Sequence, residues 1–319
     1  ENSYAKSVLF DYSYRYFYGD GFGKDYQILN LPKGYTHAEA MYLTACLLRF
    51  YQQLRLYQDR QTEYLPFNLE KPLWVFVGST VIGARSKDED EVLSDVGRVI
   101  QFLADFLHDG RGARDRIGKL LTGTGQDTGL LDENGLDIFH GSFTYLTQCV
   151  TAGQTADSLY SDLLARVFLN AAGGTLTLSR LKGDSGEVAL KCGAAEEPFG
   201  LINVGDALGL CNHCDDTCTN LLVEESDFSE PMFASVRESS SPVNVLLGSK
   251  KFVEGWDCWR VSTMGLMHVG RSEGAQIIQL FGRGVRLKGW EWSLKRSGHA
   301  YAGQRPAFIE DLETLNVFG

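Results

Sequence analysis

The segment Val243-Asn244-Val245-Leu246-Leu247 is apolar and rich in β-branched side chains, which is typical of a parallel strand buried on both faces. A polar loop follows it, Gly248-Ser249-Lys250-Lys251-Phe252-Val253-Glu254-Gly255-Trp256-Asp257. A second apolar run, Val261 to Val269, predicts another strand. We therefore expect an α/β fold with a parallel sheet.

A turn with two arginines comes next, Gln279-Leu280-Phe281-Gly282-Arg283-Gly284-Val285-Arg286. Because Arg283 and Arg286 are three residues apart, a helix over the preceding apolar run would present both from one face of its C-terminal end. A planar fork of five donors suits a phosphoryl group in transfer. Gly282 and Gly284 would let the backbone approach closely and turn sharply. A solvated helix end also fits this pattern, and the pattern alone does not separate the two.

Other apolar runs extend this arrangement. Leu73-Trp74-Val75-Phe76-Val77 predicts a buried strand that meets the polar loop Gly78-Ser79-Thr80, and Gly200 to Val204 predicts another, followed by a helix near Asp206. We expect one parallel sheet with strands near 73–77, 200–204, 243–247 and 261–268. The spacing of apolar residues predicts two more helices, Ala38 to Tyr57 and Val92 to Leu107.

Residues 108–198 depart from this pattern. Residues 109–135 are rich in Gly and Asp and predict a loop, and Ser158 to Ala171 predicts an amphipathic helix. Thr175 to Leu181 and Glu187 to Cys192 predict a hairpin. We expect these residues to form an α+β insertion that lies outside the parallel sheet.

The order strand, loop with Gly-Trp-Asp, strand, and helix ending in Gln…Gly-Arg…Arg resembles motifs V and VI of the second RecA-like domain of superfamily 2 helicases. It is most similar to the Res subunit of type III restriction enzymes and to related DEAD/DEAH-box helicases of bacterial defence loci. The resemblance covers residues 243–296 and extends to 1–107, where the 73–80 segment resembles motif IV. It implies an α/β fold with a RecA-like parallel sheet, helices on both faces, and the α+β insertion.

The resemblance also implies roles for individual residues. Arg283 and Arg286 would be arginine fingers on the γ-phosphate of ATP, and Gln279 would reach toward that phosphate or its attacking water. The residues expected to meet the nucleotide or the arginine turn are Gly255, Asp257 and Gly282. The residues expected to line a DNA-phosphate surface are Gly78, Ser79, Thr80, Ser249 and Lys250.

The implied domain organisation divides the chain into four parts. Residues 71–107 and 199–305 would be the second RecA-like domain, interrupted by the 108–198 insertion. Residues 1–70 would be an aromatic-rich linker and helix leading from a first motor domain, and residues 306–319 would begin a C-terminal extension. The expected partners are that upstream domain, DNA that is double-stranded or a displaced single strand, and methyltransferase or other defence subunits.

The sequence contains no Gly-x-x-x-x-Gly-Lys-Ser/Thr loop for nucleotide phosphates. Gly19 to Asp25 has a carboxylate where Mg²⁺ binding needs a hydroxyl, and the acidic run Asp88 to Glu91 follows no apolar strand. ATP and Mg²⁺ would therefore be bound mainly by the upstream domain, and this chain alone should not hydrolyse ATP. The alternatives left open are an inactive RecA-like module that binds nucleic acid or supports assembly, and an RNA helicase.

Charge is distributed unevenly along the chain. The net charge is −11, but residues 243–305 carry ten Lys or Arg against four acidic residues, so that segment is +6 and the remainder is −17. Such a basic region fits local contact with phosphates. The sequence has no apolar run long enough for a transmembrane helix, and we expect a cytoplasmic protein of a bacterium or archaeon.

Two further groups of residues allow more than one interpretation. Cys211, Cys214 and Cys218 fall on one predicted helix face beside His213, where they fit small buried side chains better than a zinc site with only one Cys-x-x-Cys half. Residues 1–35 are rich in aromatic side chains, with the alternation of residues 11–16 favouring a strand. These rings fit core packing or stacking on single-stranded bases.

Overall fold

The structure, a computed structural model, describes residues 12–30, 38–78, 95–123, 126–181, 186–226, 231–248, 256–267 and 274–319. Within these ranges the chain is an α/β protein with one nine-stranded sheet. The strands are β1 (Asp25–Ile28), β2 (Leu73–Gly78), β3 (Leu176–Leu181), β4 (Glu187–Cys192), β5 (Gly200–Asn203), β6 (Leu221–Ser226), β7 (Val245–Gly248), β8 (Val261–Met267) and β9 (Thr314–Phe318).

Helices connect and cover these strands. They are α1 (Tyr14–Gly19), α2 (Glu39–Asp59), α3 (Gln61–Tyr64), α4 (Asp95–His108), α5 (Gly110–Thr122), α6 (Thr144–Thr151), α7 (Ala156–Val167), α8 (Ala207–Thr217), α9 (Gly274–Gly284), α10 (Ser297–Ala300) and α11 (Ile309–Leu312). Short 3₁₀ helices lie at Leu65–Phe67, Gln126–Thr128, Phe233–Arg237 and Trp290–Trp292. Across the described residues, none of the helices has the length and apolar character to span a membrane.

The strand order in the sheet is β1-β9-β8-β2-β7-β5-β4-β3-β6. β4 runs antiparallel to its neighbours β3 and β5, and the other pairs are parallel. The four strands predicted near 73–77, 200–204, 243–247 and 261–268 are β2, β5, β7 and β8. They lie side by side and parallel, so this prediction is confirmed.

Alternate residues of the central strands enter two hydrophobic cores, one on each face of the sheet. In β2, Trp74 and Phe76 pack into the core that α2, α4, α5, α6, α7 and α8 cover. Leu73, Val75 and Val77 pack into the opposite core, which includes Leu280 of α9. The strands are therefore buried on both faces, which explains their continuous apolar sequences.

The expectation that residues 108–198 lie outside the sheet is wrong. The predicted hairpin is present as β3 and β4, but β4 pairs with β5, so the hairpin extends the central sheet. Phe168, from the same region, packs with its ring centroid 4.8 Å from that of Phe199, just before β5. Their apolar side chains belong to the same core as Trp74 of β2.

Two local predictions are also wrong. Residues 109–135 were expected to be a loop, but α5 occupies Gly110–Thr122, with the side chain of Asp109 accepting a hydrogen bond from the Gly112 amide. Its buried residues Ala113, Ile117 and Leu121 recur every four positions. Residues 11–16 were expected to be a strand, but α1 begins at Tyr14, and its tyrosines pack across one turn instead of alternating.

Two strands that were not predicted, β1 and β9, also join the sheet. β1 pairs with β9, and β9 pairs with β8, so segments near both ends of the described chain complete one side of the sheet. The segment 306–319, expected to begin a C-terminal extension, thus supplies an inner strand.

Candidate functional site

Helix α9 places the arginine turn at the edge of the sheet where the parallel strands begin. It follows the carboxyl end of β8 in the chain and packs back along that strand. A Cβ on Gly284 would lie 2.7 Å from Leu315 Cδ2 and 3.1 Å from Met264 Cε, so glycine allows this close packing. The Val285 carbonyl accepts a hydrogen bond from the Lys24 amide (2.7 Å), immediately before β1. The end of α9 therefore lies at the amino edge of the sheet.

The two arginines contact the segment that leads into β8. Arg286 donates a hydrogen bond from Nη1 to Asp257 Oδ1 and forms an ion pair with it. Arg283 donates from Nη1 to the Trp256 carbonyl oxygen. Asp257 is expected to meet the nucleotide or the arginine turn, and it contacts that turn through Arg286.

Both arginines lie at the surface of the domain, as expected from the cost of burying a guanidinium without a partner. The side chain of Arg286 is 35% exposed and that of Asp257 is 62% exposed. Arg283 is half-buried. The arginine turn and the Trp256-Asp257 segment thus form a single surface site with a cation that water or a ligand can reach.

The segment that carries Asp257 is anchored on both sides. Trp256 stacks on Phe233, with ring centroids 6.0 Å apart, and Cys258 is buried. Arg260 is also buried, and its guanidinium donates to backbone carbonyls of Lys71 (3.0 Å), Val236, Glu238 (3.2 Å) and Val243 (2.7 Å). These contacts fix the backbone from which the Asp257 carboxylate projects.

Gln279 and Gly282 occupy the outer side of α9. Gln279 is exposed and lies one turn before Arg283, so the two side chains leave neighbouring positions on the helix. Gly282 is exposed, and no other described heavy atom lies within 4 Å of the position that its Cβ would occupy. The helix therefore leaves open space beside Arg283.

The residues predicted to contact DNA lie at the other edge of the sheet or outside the described ranges. Gly78 ends β2, where it pairs with Met267 at the end of β8, and Gly248 ends the adjacent strand β7. Ser79, Thr80, Ser249 and Lys250 follow these strand ends and lie outside the described residues, as does Gly255. At roughly 3.3 Å per residue, the length of β8 separates Gly78 from the arginine site by about 20 Å.

Sequence reasoning missed a group of side chains next to Arg286. Lys288 forms an ion pair with Glu70, and its ammonium lies 6.0 Å from the ring centroid of Trp259 and 5.0 Å from that of Trp292. The available signal was spacing, because Trp259 and Lys288 each lie two residues after a member of the Asp257–Arg286 pair.

Lys24 closes the inner side of this region. Its ammonium is buried and donates to the Val261 carbonyl oxygen at the start of β8, and burial lowers the pKa of Lys24 to about 8. The Lys24 ammonium therefore binds a backbone carbonyl in the protein interior and does not face solvent. This geometry agrees with rejecting Gly19 to Asp25 as a phosphate loop.

The N-terminal aromatic residues pack beside α9. Tyr14 and Tyr26 lie with ring centroids 6.0 and 5.1 Å from that of Phe281, in both cases edge to face. Both tyrosines are partly exposed. These rings support the outer side of the helix that carries Gln279 and Arg283.

The cysteine group lies on α8, far along the sheet from the arginines. Cys211 and Cys214 are buried, and Cys218 follows the last helical residue. Burial raises the pKa of the Cys211 thiol to about 11. In the described ranges, no three His, Cys, Asp or Glu side chains form a group that could hold a metal ion.

Comparison of the chain with protein-family models, curated proteins and solved structures gave no match.

Proposed function

We propose that this chain is the second, RecA-like motor domain of an ATP-dependent DNA helicase or translocase of the superfamily 2 type. The observation that carries the proposal is the Asp257–Arg286 ion pair, accompanied by the Arg283 hydrogen bond to Trp256. These contacts join the two motifs on which the resemblance rests, although the paired residues lie 27 and 29 positions apart in the chain. A restriction or phage-defence enzyme is the setting that the resemblance favours.

In this proposal the arginines complete a nucleotide site formed mainly by an upstream RecA-like domain. That domain would hold ATP and Mg²⁺, and its closure would bring the γ-phosphate to Arg283 and Arg286. The guanidinium forks would stabilise negative charge that develops as the phosphoryl group transfers, and Gln279 would orient the attacking water.

The exposure of the ion pair suits this exchange. An exposed pair contributes only about 0–1 kcal/mol to stability, since water already screens both charges. Arg286 can therefore leave Asp257 for a phosphate at little cost. Asp257 would hold the guanidinium in place while the site is open, so that less side-chain ordering is needed when ATP arrives.

The two edges of the sheet would serve different ligands. Open parallel sheets bind ligands at the carboxyl ends of their strands, where Gly78 and Gly248 lie side by side. Ser79, Thr80, Ser249 and Lys250 follow them in the chain, and we assign them to the DNA backbone. ATP would meet the amino edge through the arginines, and the sheet between the edges would connect the two events.

The test is to replace the arginines in the polypeptide that contains both motor domains. Arg283→Ala or Arg286→Ala should lower DNA-stimulated ATP turnover by about 10³–10⁵ and leave DNA affinity within roughly twofold, because the fingers act on charge formed during transfer. Arg286→Lys should recover little activity, since lysine lacks the planar fork. Turnover is measured by phosphate release, and DNA affinity by fluorescence anisotropy.

Arg305→Ala is the matched control. Arg305 forms an ion pair with Glu310 in which the side chains are 38% and 59% exposed, close to the values for Arg286 and Asp257. Its loss should leave turnover unchanged. Near-normal turnover in the Arg283→Ala, Arg286→Ala double variant would reject the motor and favour an inactive module that binds nucleic acid.

A further inference from the structure

A small cavity of about 10 Å³ beside Arg286 is lined by both charged and aromatic side chains. Lys24, Glu70, Trp259 and Lys288 contribute to its wall together with Arg286. Trp259 is two residues from Asp257, and Lys288 is two residues from Arg286, so each is at most about 7 Å along the chain from the ion pair. The aromatic and cationic groups are therefore continuous with the arginine site.

Trp292 forms the outer end of this group. Its side chain is 59% exposed, although its ring has defined neighbours. The Trp259 ring lies at 81° to it with centroids 6.5 Å apart, and the Lys288 ammonium is 5.0 Å from its centroid. Since Lys288 is also paired with Glu70, these contacts fix the indole and leave much of its surface open to solvent.

The loop that presents Trp292 has an unusual backbone. Glu291, Trp292 and Leu294 all have left-handed φ values, of 49°, 60° and 62°. Side chains disfavour this region, and such residues persist where surrounding contacts hold them, often at functional sites. Here the side-chain amide of Asn68 donates to the Gly289 carbonyl (3.0 Å), and the backbone amide of Gly23 donates to the Leu294 carbonyl (2.8 Å).

Trp290, two residues earlier in the same loop, differs from Trp292 in its packing. Trp290 packs against Phe67 and Tyr301, with ring centroids 5.4 and 4.6 Å away, and thus anchors the loop. Trp292 has no such role in the hydrophobic cores of the described residues. An exposed indole, held by a strained loop and by contacts with Trp259 and Lys288, is suited to stacking on a flat ligand.

We propose that Trp292, fixed by Trp259 and Lys288, is a stacking platform for the base of the nucleotide whose phosphates meet Arg286. This inference rests on the proposed function, because it assumes that a nucleoside triphosphate binds at the arginine turn. The indole recognises a base through its flat face and not through hydrogen bonds. The site should therefore accept any nucleoside triphosphate, with purines bound more tightly because they offer a larger stacking surface.

Binding measurements on the polypeptide that contains both motor domains test the platform. The probes are ATP, CTP and inorganic tripolyphosphate. Titration calorimetry measures the affinity of each, and saturation-transfer NMR measures contact of the protein with the base protons of ATP. The unsubstituted protein should bind ATP more tightly than CTP, and CTP more tightly than tripolyphosphate. Trp292→Ala should weaken ATP binding about 5- to 100-fold, the factor that one stacked base supplies, and leave tripolyphosphate binding unchanged.

Two variants control for the loop itself. Trp292→Phe keeps an aromatic ring and should retain most of the ATP affinity. Leu294→Ala changes an exposed residue of the same loop with the same left-handed backbone, and it should bind ATP as the unsubstituted protein does. Circular dichroism establishes that each variant is folded before its affinity is compared.

The outcomes separate the platform from the arginine site. Equal ATP affinity in Trp292→Ala and the unsubstituted protein would overturn the platform, as would a loss confined to a single-stranded oligonucleotide. Phosphate release from ATP that does not depend on Arg286 would count against the proposed function. If, even so, Trp292→Ala bound ATP and tripolyphosphate with equal affinity, the platform itself would be supported.

Discussion

Arg260 and Arg286 show how differently one residue type is used at this end of the sheet. The Arg260 guanidinium is buried and donates to four backbone carbonyls, so its charge serves to hold three segments together. Arg286 is partly exposed and faces one exposed carboxylate. The two arginines therefore differ in burial: the Arg260 side chain is enclosed by protein, and the Arg286 side chain is accessible to a ligand.

Sequence patterns identified Arg283, Arg286 and Asp257 as neighbours, because motif order implied a common turn. They did not identify Trp259, Lys288 and Trp292, which contact one another, or Glu70 from the segment before β2, which pairs with Lys288. The Lys288–Glu70 pair joins segments that lie 218 residues apart in the chain. A pattern within one segment contains no information about such contacts.

Glu313 provides a prediction at the scale of a single residue. Its carboxylate is buried and accepts hydrogen bonds from the Ser297 amide (2.8 Å) and hydroxyl (2.8 Å). Burial raises the pKa of Glu313 to about 7, from an ordinary value of 4.5. Charged groups in the surrounding cleft are Asp25, Arg296, His299, Arg305 and Glu310.

Because the pKa is raised on folding, the stability associated with protonated Glu313 is present below about pH 4.5 and is lost as the pH rises through about 7. Between pH 5 and pH 8 this group should lower the free energy of unfolding by about 2–3 kcal/mol. Glu313→Gln should remove that pH dependence in urea titrations, whereas exposed Glu196→Gln should keep it. Identical pH profiles for Glu313→Gln and the unsubstituted protein would disprove the assignment.

At the scale of one element, α9 contains two glycines with opposite surroundings. Gly284→Ala would press a Cβ against buried Leu315 and should destabilise the protein by about 1–3 kcal/mol. Gly282→Ala meets open space and should raise stability by up to about 1 kcal/mol, since alanine favours the helix. Thermal unfolding of both variants measures these effects.

The same pair tests the site. If a nucleotide approaches the open side of α9, Gly282→Ala should lower ATP turnover although the protein is more stable. Gly284→Ala should affect turnover only in proportion to the unfolded fraction. Full turnover in Gly282→Ala would indicate that the space beside Arg283 is not used.

Element predictions succeeded where burial on both faces produced a largely apolar run, as in β2, β5, β7 and β8. They failed for α5, where glycine and aspartate obscured the four-residue spacing of Ala113, Ile117 and Leu121. They failed also for the position of the β3–β4 hairpin. Its strands pair through backbone groups, so side-chain pattern does not specify which strand they join.

At the scale of the whole molecule, residues 108–198 and the central strands share one hydrophobic core. Phe168 is fully buried between Phe106 and Phe199, with ring centroids 6.0 and 4.8 Å away. Phe168→Ala should cost about 3–5 kcal/mol and lower the midpoint of a single unfolding transition. Exposed Leu136→Ala should leave that midpoint unchanged. A separate early transition in Phe168→Ala would instead show that this region unfolds independently.

The pairing of β8 with β9 has a consequence for synthesis of the protein. β8 acquires its neighbour β9 only after about fifty further residues have been added, which takes roughly 3–10 s at ribosomal rates. During that interval β8 presents an unpaired apolar edge, which is the kind of surface that joins strands of other nascent chains. β9 thus also covers the strand edge through which the growing chain could aggregate.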